Sequence, residues 1–337
     1  MQTYQNFVGI DVSKVHLDIA LVQNATLISH TQIENTVEAI SAYVEELIKE
    51  IDLRETLFCL EPTGNYIHFL VAVLVDFECF IWVENALHIK QSMGMTRGKT
   101  DKVDAYRIGL YAYRFQDQVR LYKPVSETIK QLKTLQTLRK KHIVHKQELE
   151  TYAKETKAFA QESIQNIIDE HSYNLIEALA LQIEKIEKQM LDMIQKDEEL
   201  KELYRLTTSV IGVGKVTAIH LLIMTEGFTK FDSAKQLACY AGVVPFEHSS
   251  GAYKGKAKVS KQANKTLKTA LHMCALSASR AEGELRDYFL RKVAEGKAKM
   301  SVINAIRNKI IHRIFACVKN KTLYNRNGIQ FNNFSKG

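Results

Sequence analysis

The chain has 337 residues, 46% hydrophobic and 25% charged, which excludes a disordered polymer and, at about 150 residues per domain, points to two domains and a connector. Five cysteines without CxxC spacing exclude a zinc ribbon or a disulfide framework. With no apolar run of about 18 residues and no basic-then-apolar leader over Met1–Phe7, a cytoplasmic protein with no membrane span is expected. The net charge of +8 is unevenly spread: residues 1–204 carry 23 Lys and Arg against 31 Asp and Glu (net −8), and residues 205–337 carry 23 against 7 (net +16), the distribution of an acidic half joined to a nucleic-acid-binding half.

In chain order, Phe7–Ile10 and Val15–Leu21 read as two strands of a hairpin around Asp11–Lys14. The spacing of Ile40, Tyr43, Val44, Leu47, Ile48 and Ile51 predicts a helix over Glu34–Ile51. Thr56–Leu60 reads as a strand ending at Glu61-Pro62, Asn65–Phe77 as a helix and Cys79–Val83 as a strand. Alternating elements of these lengths predict an α/β domain with a mixed sheet over residues 1–124. Residues 125–204 are poor in Gly and Pro and repeat apolar residues every three or four positions, from Ile129 to Met190, which predicts a coiled coil or antiparallel helical hairpin with its tip at His171–Asn174. A plain helical linker fits the same spacing. Helices over Phe231–Ala241, Asn264–Ala281 and Val302–Val318 make residues 205–325 a mainly α domain, followed by a short tail, 326–337.

Asp11 and Glu61 each close an apolar strand, and Asp101 and Asp104 lie one helical turn apart on one face. Carboxylates so grouped can hold a hard cation such as Mg²⁺, and two such ions clamp the attacking and leaving oxygens of a phosphodiester. Taken singly, each of the four also fits a turn, a loop or a helix cap. In SVIGVGKVTA, Gly212 and Gly214 form a tight turn ahead of Lys215, either a helix-hairpin-helix that offers backbone N–H groups to a phosphate or an ordinary inter-helix turn. Lys254, Lys256, Lys258, Lys261, Lys265 and Lys268 follow within a short stretch, fitting salt-dependent phosphate contacts, as does the basic helix from Arg307 to Lys321; a solvated lysine-rich loop is the plain alternative.

An apolar strand ending GID, then LEPTGNY, then KTDKVDA closely resembles the DEDD transposases of the IS110-type insertion-sequence family, whose first domain is RuvC-like and therefore RNase H-like. The resemblance extends through LACYAGVVPFEHSSGAYKGKAKVSKQANKTLKTAL, where Gly242, Pro245, Ser249, Gly251, Ser260, Lys261 and Asn264 fit the family pattern of the transposase domain. It implies that Asp11, Glu61, Asp101 and Asp104 are a catalytic, Mg²⁺-binding tetrad and that Ser249 attacks DNA to form a covalent phosphoserine. Ser250, adjacent, stays open as the nucleophile. It further implies donor and target DNA as substrates, a bridge RNA that supplies sequence choice, and a homodimer or homotetramer. Gly212, Gly214, Lys215, Lys254, Lys256, Lys258, Lys261, Asn264 and Lys265 are then the candidate nucleic-acid contacts. Two other readings fit the residues: a RuvC-like metal-dependent nuclease with no covalent intermediate, and a non-catalytic nucleic-acid-binding protein.

Overall fold

In the computed structural model, which describes residues 3–92, 100–246 and 263–325 and the short strands at 249–250, 253–254 and 258–259, the chain divides into two units, Met1–Pro124 and Val125–Gly337. The first unit runs β1 (Asn6–Val12), β2 (His16–Gln23), β3 (Thr26–Glu34), α1 (Val37–Leu47), β4 (Thr56–Leu60), α2 (His68–Asp76), β5 (Phe80–Val83), α3 (Ala86–Ser92) and α4 (Asp101–Arg114). Its sheet has the order β3-β2-β1-β4-β5, antiparallel from β3 to β1 and parallel from β1 through β5, the mixed sheet that the alternation predicts.

Side chains alternate across a strand, so β1 feeds two cores. Val8, Ile10 and Val12 join Leu17, Phe58 and Leu60 beneath Ile40 and Val44 of α1 and Leu70 and Leu74 of α2. Phe7 turns the other way and joins Leu57, Cys59 and Trp82 against Ile108, Tyr111 and Ala112 of α4. The strand β3 is absent from the sequence-based assignment, and the helix predicted from Glu34 begins three residues later. Thr36 caps it, its Oγ1 accepting from Ala39 N at 3.3 Å, because Thr26–Glu34 is already committed to pairing with β2.

The second unit opens with two long helices, α5 (Glu127–Lys157) and α6 (Glu162–Lys196), followed by α7 (Glu198–Ser209), α8 (Lys215–Met224) and α9 (Ala234–Tyr240). Four two-residue strands follow, β6 (Pro245–Phe246), β7 (Ser249–Ser250), β8 (Tyr253–Lys254) and β9 (Lys258–Val259), and then α10 (Lys265–Arg280), α11 (Glu284–Ala294) and α12 (Lys299–Asn320). Helices α5 and α6 form an antiparallel hairpin whose base, with Ile129, Leu132, Met190 and Ile194, packs on Leu200 of α7 and Leu222 of α8. The tip lies at residues 158–161 rather than at His171–Asn174. Those four residues contain neither Gly nor Pro, and the polar set runs on inside α6 with Ser172 buried. At the true tip, Gln165 Nε2 donates to the carbonyls of Lys157 (3.2 Å) and Ala160 (2.8 Å), satisfying helix-end acceptors, and Lys157 pairs with Asp169. The remaining core is α12 (Ile303, Ile306, Ile310, Ile314) against α10 (Leu267, Leu271, Cys274) and Leu206 and Leu221. No described helix is long and apolar enough to cross a membrane.

Candidate active site and nucleic-acid interface

The alternation that buries Phe7 on the α4 face of β1 puts Gly9 and Asp11 on that face too. In the parallel pair β1/β4, Ile10 stands opposite Leu60, so Asp11 and Glu61 are the next residues of adjoining strands, which run about 4.8 Å apart. Helix α4 reaches this face through two glycines. A Cβ on Gly9 would lie 2.1 Å from Gly109 N and 2.2 Å from Ala105 O, so no other residue lets the helix lie so close to the strand. Asp104 immediately precedes Ala105, and Asp101 lies one turn earlier. Both are in the first turn, which starts at Thr100, whose side chain accepts from Val103 N. Negative charge there is also favoured by the helix dipole.

Asp11 and Glu61 are both pushed up by burial and by neighbouring carboxylates. Burial raises the Asp11 carboxyl above the usual carboxylate range, and Asp104, Asp101 and Asp18 push it further in that order, against a lowering backbone hydrogen bond at Val12. Glu61 is likewise raised by burial, then by Asp11 and Asp104. Arg107 Nη1 donates to Asp104 Oδ1 at 2.8 Å. The loops beyond Asp11 and Glu61 are tied together by Asn35, whose Nδ2 donates to Ser13 O at 3.0 Å and Tyr66 O at 2.9 Å. The donor set is all oxygen and mutually repulsive, which suits a hard divalent cation. Among the described residues, no three His, Cys, Asp or Glu side chains converge closely enough to ligate an ion as they stand.

Asp18 escaped the sequence reading. It faces Asp11 across the β1/β2 pair, and its carboxylate accepts from His30 Nε2 at 2.9 Å and Gln32 Nε2 at 3.0 Å, both on β3. The alternation in HLDIALVQ was the available signal, since it puts Asp18 out of phase with buried Leu17 and Ile19.

In the second unit, β6 pairs with β9 and β7 with β8, both antiparallel, so Ser249 stands opposite Lys254 within a nested ribbon. Lys258 lies on β9; Gly251, Lys256, Ser260 and Lys261, like Lys99 in the first unit, fall outside the described residues. Asn264 is the N-cap of α10: its Oδ1 accepts from Leu267 N at 2.9 Å and its Nδ2 donates to Tyr240 Oη at 3.0 Å. Lys265 beside it is exposed. The two turn glycines differ. Gly212 has φ +88°, and a Cβ there would lie 2.4 Å from Cys274 O, so packing against α10 requires it. Gly214, the N-cap of α8, faces open space beside exposed Lys215. On α12, Arg313 pairs with Glu284 and Lys309 Nζ lies 4.7 Å from the centre of the Tyr288 ring, so these two cations already have partners within the unit.

A mixed sheet bearing strand-end carboxylates under a covering helix, joined to a basic helical unit, defines an α/β protein with a second helical region. A family profile described as Transposase IS116/IS110/IS902 family matches residues 204–290, and an IS110-type DEDD transposase profile matches residues 8–156. The chain belongs to the IS110 family of insertion-sequence transposases. It is 27% identical over 320 residues to the pilin gene-inverting protein of Moraxella lacunata, covering 94% of this chain and 96% of that protein. It is 32% identical over 117 residues to the uncharacterized 43.6 kDa protein of insertion element IS110 from Streptomyces coelicolor, covering 35% of this chain and 29% of that one. Among solved structures, RuvC of T. thermophilus with a Holliday junction substrate matches at TM-score 0.30 and 18% identity, covering 35% of this chain and 100% of that chain.

Proposed function

We propose that this transposase cuts and rejoins donor and target DNA at a composite site, in which Asp11, Glu61, Asp101 and Asp104 hold Mg²⁺ and Ser249 is the nucleophile, with a bridge RNA choosing the sequences. The carrying observation is the grouping of Asp11 and Glu61 on adjoining strand ends with Asp104 close enough to raise both. Bound Mg²⁺ would neutralise that repulsion and stabilise charge on phosphate oxygens. The serine Oγ bonds to phosphorus as the bond to the departing strand oxygen breaks, the serine proton leaves, and the departing oxygen gains one. The phosphoserine ester keeps the bond energy for rejoining to a second strand end. Glu247 and His248 precede Ser249 in sequence, and the activation of the serine is assigned here to the metal-holding carboxylate site rather than to either of them. The reaction is placed in the cytoplasm, in a dimer or tetramer, with Lys215, Lys254, Lys256, Lys258, Lys261 and Lys265 on phosphates and Gly212, Gly214 and Asn264 shaping the surface they stand on.

A suicide DNA substrate incubated with the protein, bridge RNA and Mg²⁺ tests this. A covalent protein–DNA adduct is expected, lost in Ser249→Ala and kept in Ser250→Ala. Cleavage that survives Ser249→Ala but not Asp11→Asn makes the protein a hydrolytic nuclease, and DNA binding without cleavage under every RNA and metal condition makes it a binding protein. Lys254→Ala or Lys258→Ala is expected to weaken binding across sequences and to reduce the salt slope by about one each. A change confined to sequence preference would overturn the phosphate role.

A further inference from the structure

Arg307 and Arg313 sit on the same helix, α12, and are buried to the same degree, 7% exposed each. Burying a guanidinium is costly unless an anion meets it. Arg313 has one: Glu284 accepts from its Nη2 through both carboxylate oxygens at 2.7 Å. Arg307 has no carboxylate partner among the described residues. Its Nη2 donates to His272 Nδ1, its Nη1 reaches Asn304 Oδ1 only at 3.5 Å, and its buried Nε has no acceptor.

The imidazole partner has a consequence. Accepting at Nδ1 requires His272 to be neutral with its proton on Nε2, and both partial burial and Arg307 hold its pKa below the usual histidine range. The ring is partly exposed, so an N–H donor of fixed tautomer stands near solvent with a positive charge behind it that no carboxylate among the described residues meets. Lys265 and Lys268 precede His272 on α10 at i−7 and i−4, on the same helix face. One turn before Arg307, Asn304 Nδ2 donates to Val243 O at 2.8 Å, two residues ahead of β6, so the pair adjoins the root of the ribbon that carries Ser249.

We infer that Arg307 and His272 form a phosphodiester-binding site at the root of this ribbon, His272 Nε2–H donating to a phosphate oxygen and Arg307 supplying the buried charge. Its assignment to nucleic acid rests on the proposed function; its assignment to an oxyanion rests on a guanidinium with no carboxylate partner among the described residues.

The test uses the full-length protein and inorganic phosphate at low millimolar concentration and constant ionic strength. The wild type is expected to show an upward shift in Tm. Arg307→Met is expected to melt at or above the wild type without phosphate and to lose the shift, whereas an arginine held by the chain's own acceptors would leave Arg307→Met less stable and the wild type unresponsive. Should Arg307→Met fail to fold, His272→Leu loses the shift and His272→Gln, which keeps an acceptor and a donor, restores it. Anisotropy with labelled duplex DNA and with labelled RNA then identifies the source of the phosphate: affinity falls about tenfold in His272→Leu for the strand that occupies the site. A phosphate shift unchanged in both variants, or unchanged affinity for both nucleic acids, overturns the inference. A shift that persists in a protein forming no covalent adduct would leave the site standing and sink the serine mechanism.

Discussion

Burial makes both Asp11 and Glu61 harder to ionise, and Asp104 acts on both in the same direction. Their native pKa values lie above the unfolded ones, so their contribution to stability is fully present below the ordinary carboxylate range and is lost as pH rises through the raised native values. In EDTA, the Tm difference between wild type and Asp11→Asn is therefore expected to widen in favour of the variant between pH 4 and pH 7, and Mg²⁺ at pH 7 is expected to close it by stabilising only the wild type. A pH-independent difference, or equal stabilisation of both proteins by Mg²⁺, would separate these carboxylates from any cation. Asp11 and Glu61 were legible because each ends an apolar run at a strand terminus. Asp18 was less so: the alternation puts it out of phase with Leu17 and Ile19, but only the β1/β2 register puts it opposite Asp11.

Elements were legible where one strong periodicity governed them and obscure where a turn or an edge did. Strand β3 has an exposed, weakly alternating pattern, and its hairpin with β2 turns through Asn24 and Ala25 at positive φ (46° and 63°) without a glycine to signal it. Helix α11 follows Gly283 at φ +137° and buries only Leu285, so its sequence reads as a loop. Glycines that bring elements together carry more information than those in turns. Gly9→Ala is expected to cost about 3 kcal/mol or more, because the added methyl meets backbone rather than a side chain that can move. Denaturant titration should find that loss together with abolished cleavage, since the same contact sets Asp104 beside Asp11. In the second unit, Gly212→Ala is expected to be similarly damaging and Gly214→Ala to fold with a loss of about 1 kcal/mol or less, its φ being ordinary and its surroundings open. If DNA affinity nevertheless falls in Gly214→Ala, the turn before α8 contacts phosphate; unchanged affinity reduces it to a connector.

At the scale of the whole molecule, the proposed mechanism draws its carboxylates from the acidic unit and its serine from the basic one. If the composite site draws its two halves from different protomers, a mixture of inactive proteins should regain activity. Consider Asp11→Asn and Ser249→Ala, each inactive alone, exchanged into mixed dimers at equal concentration. Half of the dimers are then mixed, and each carries one site in which both halves are altered and one in which both are intact, so about a quarter of all sites recover. If instead each site lies within one protomer, every site in the mixture lacks one half and none recovers. Adduct formation on the suicide substrate, measured against the mixing ratio and peaking at equal amounts, distinguishes these outcomes. The label must sit on the Asp11→Asn chain, because in the mixed dimer only that chain retains the serine.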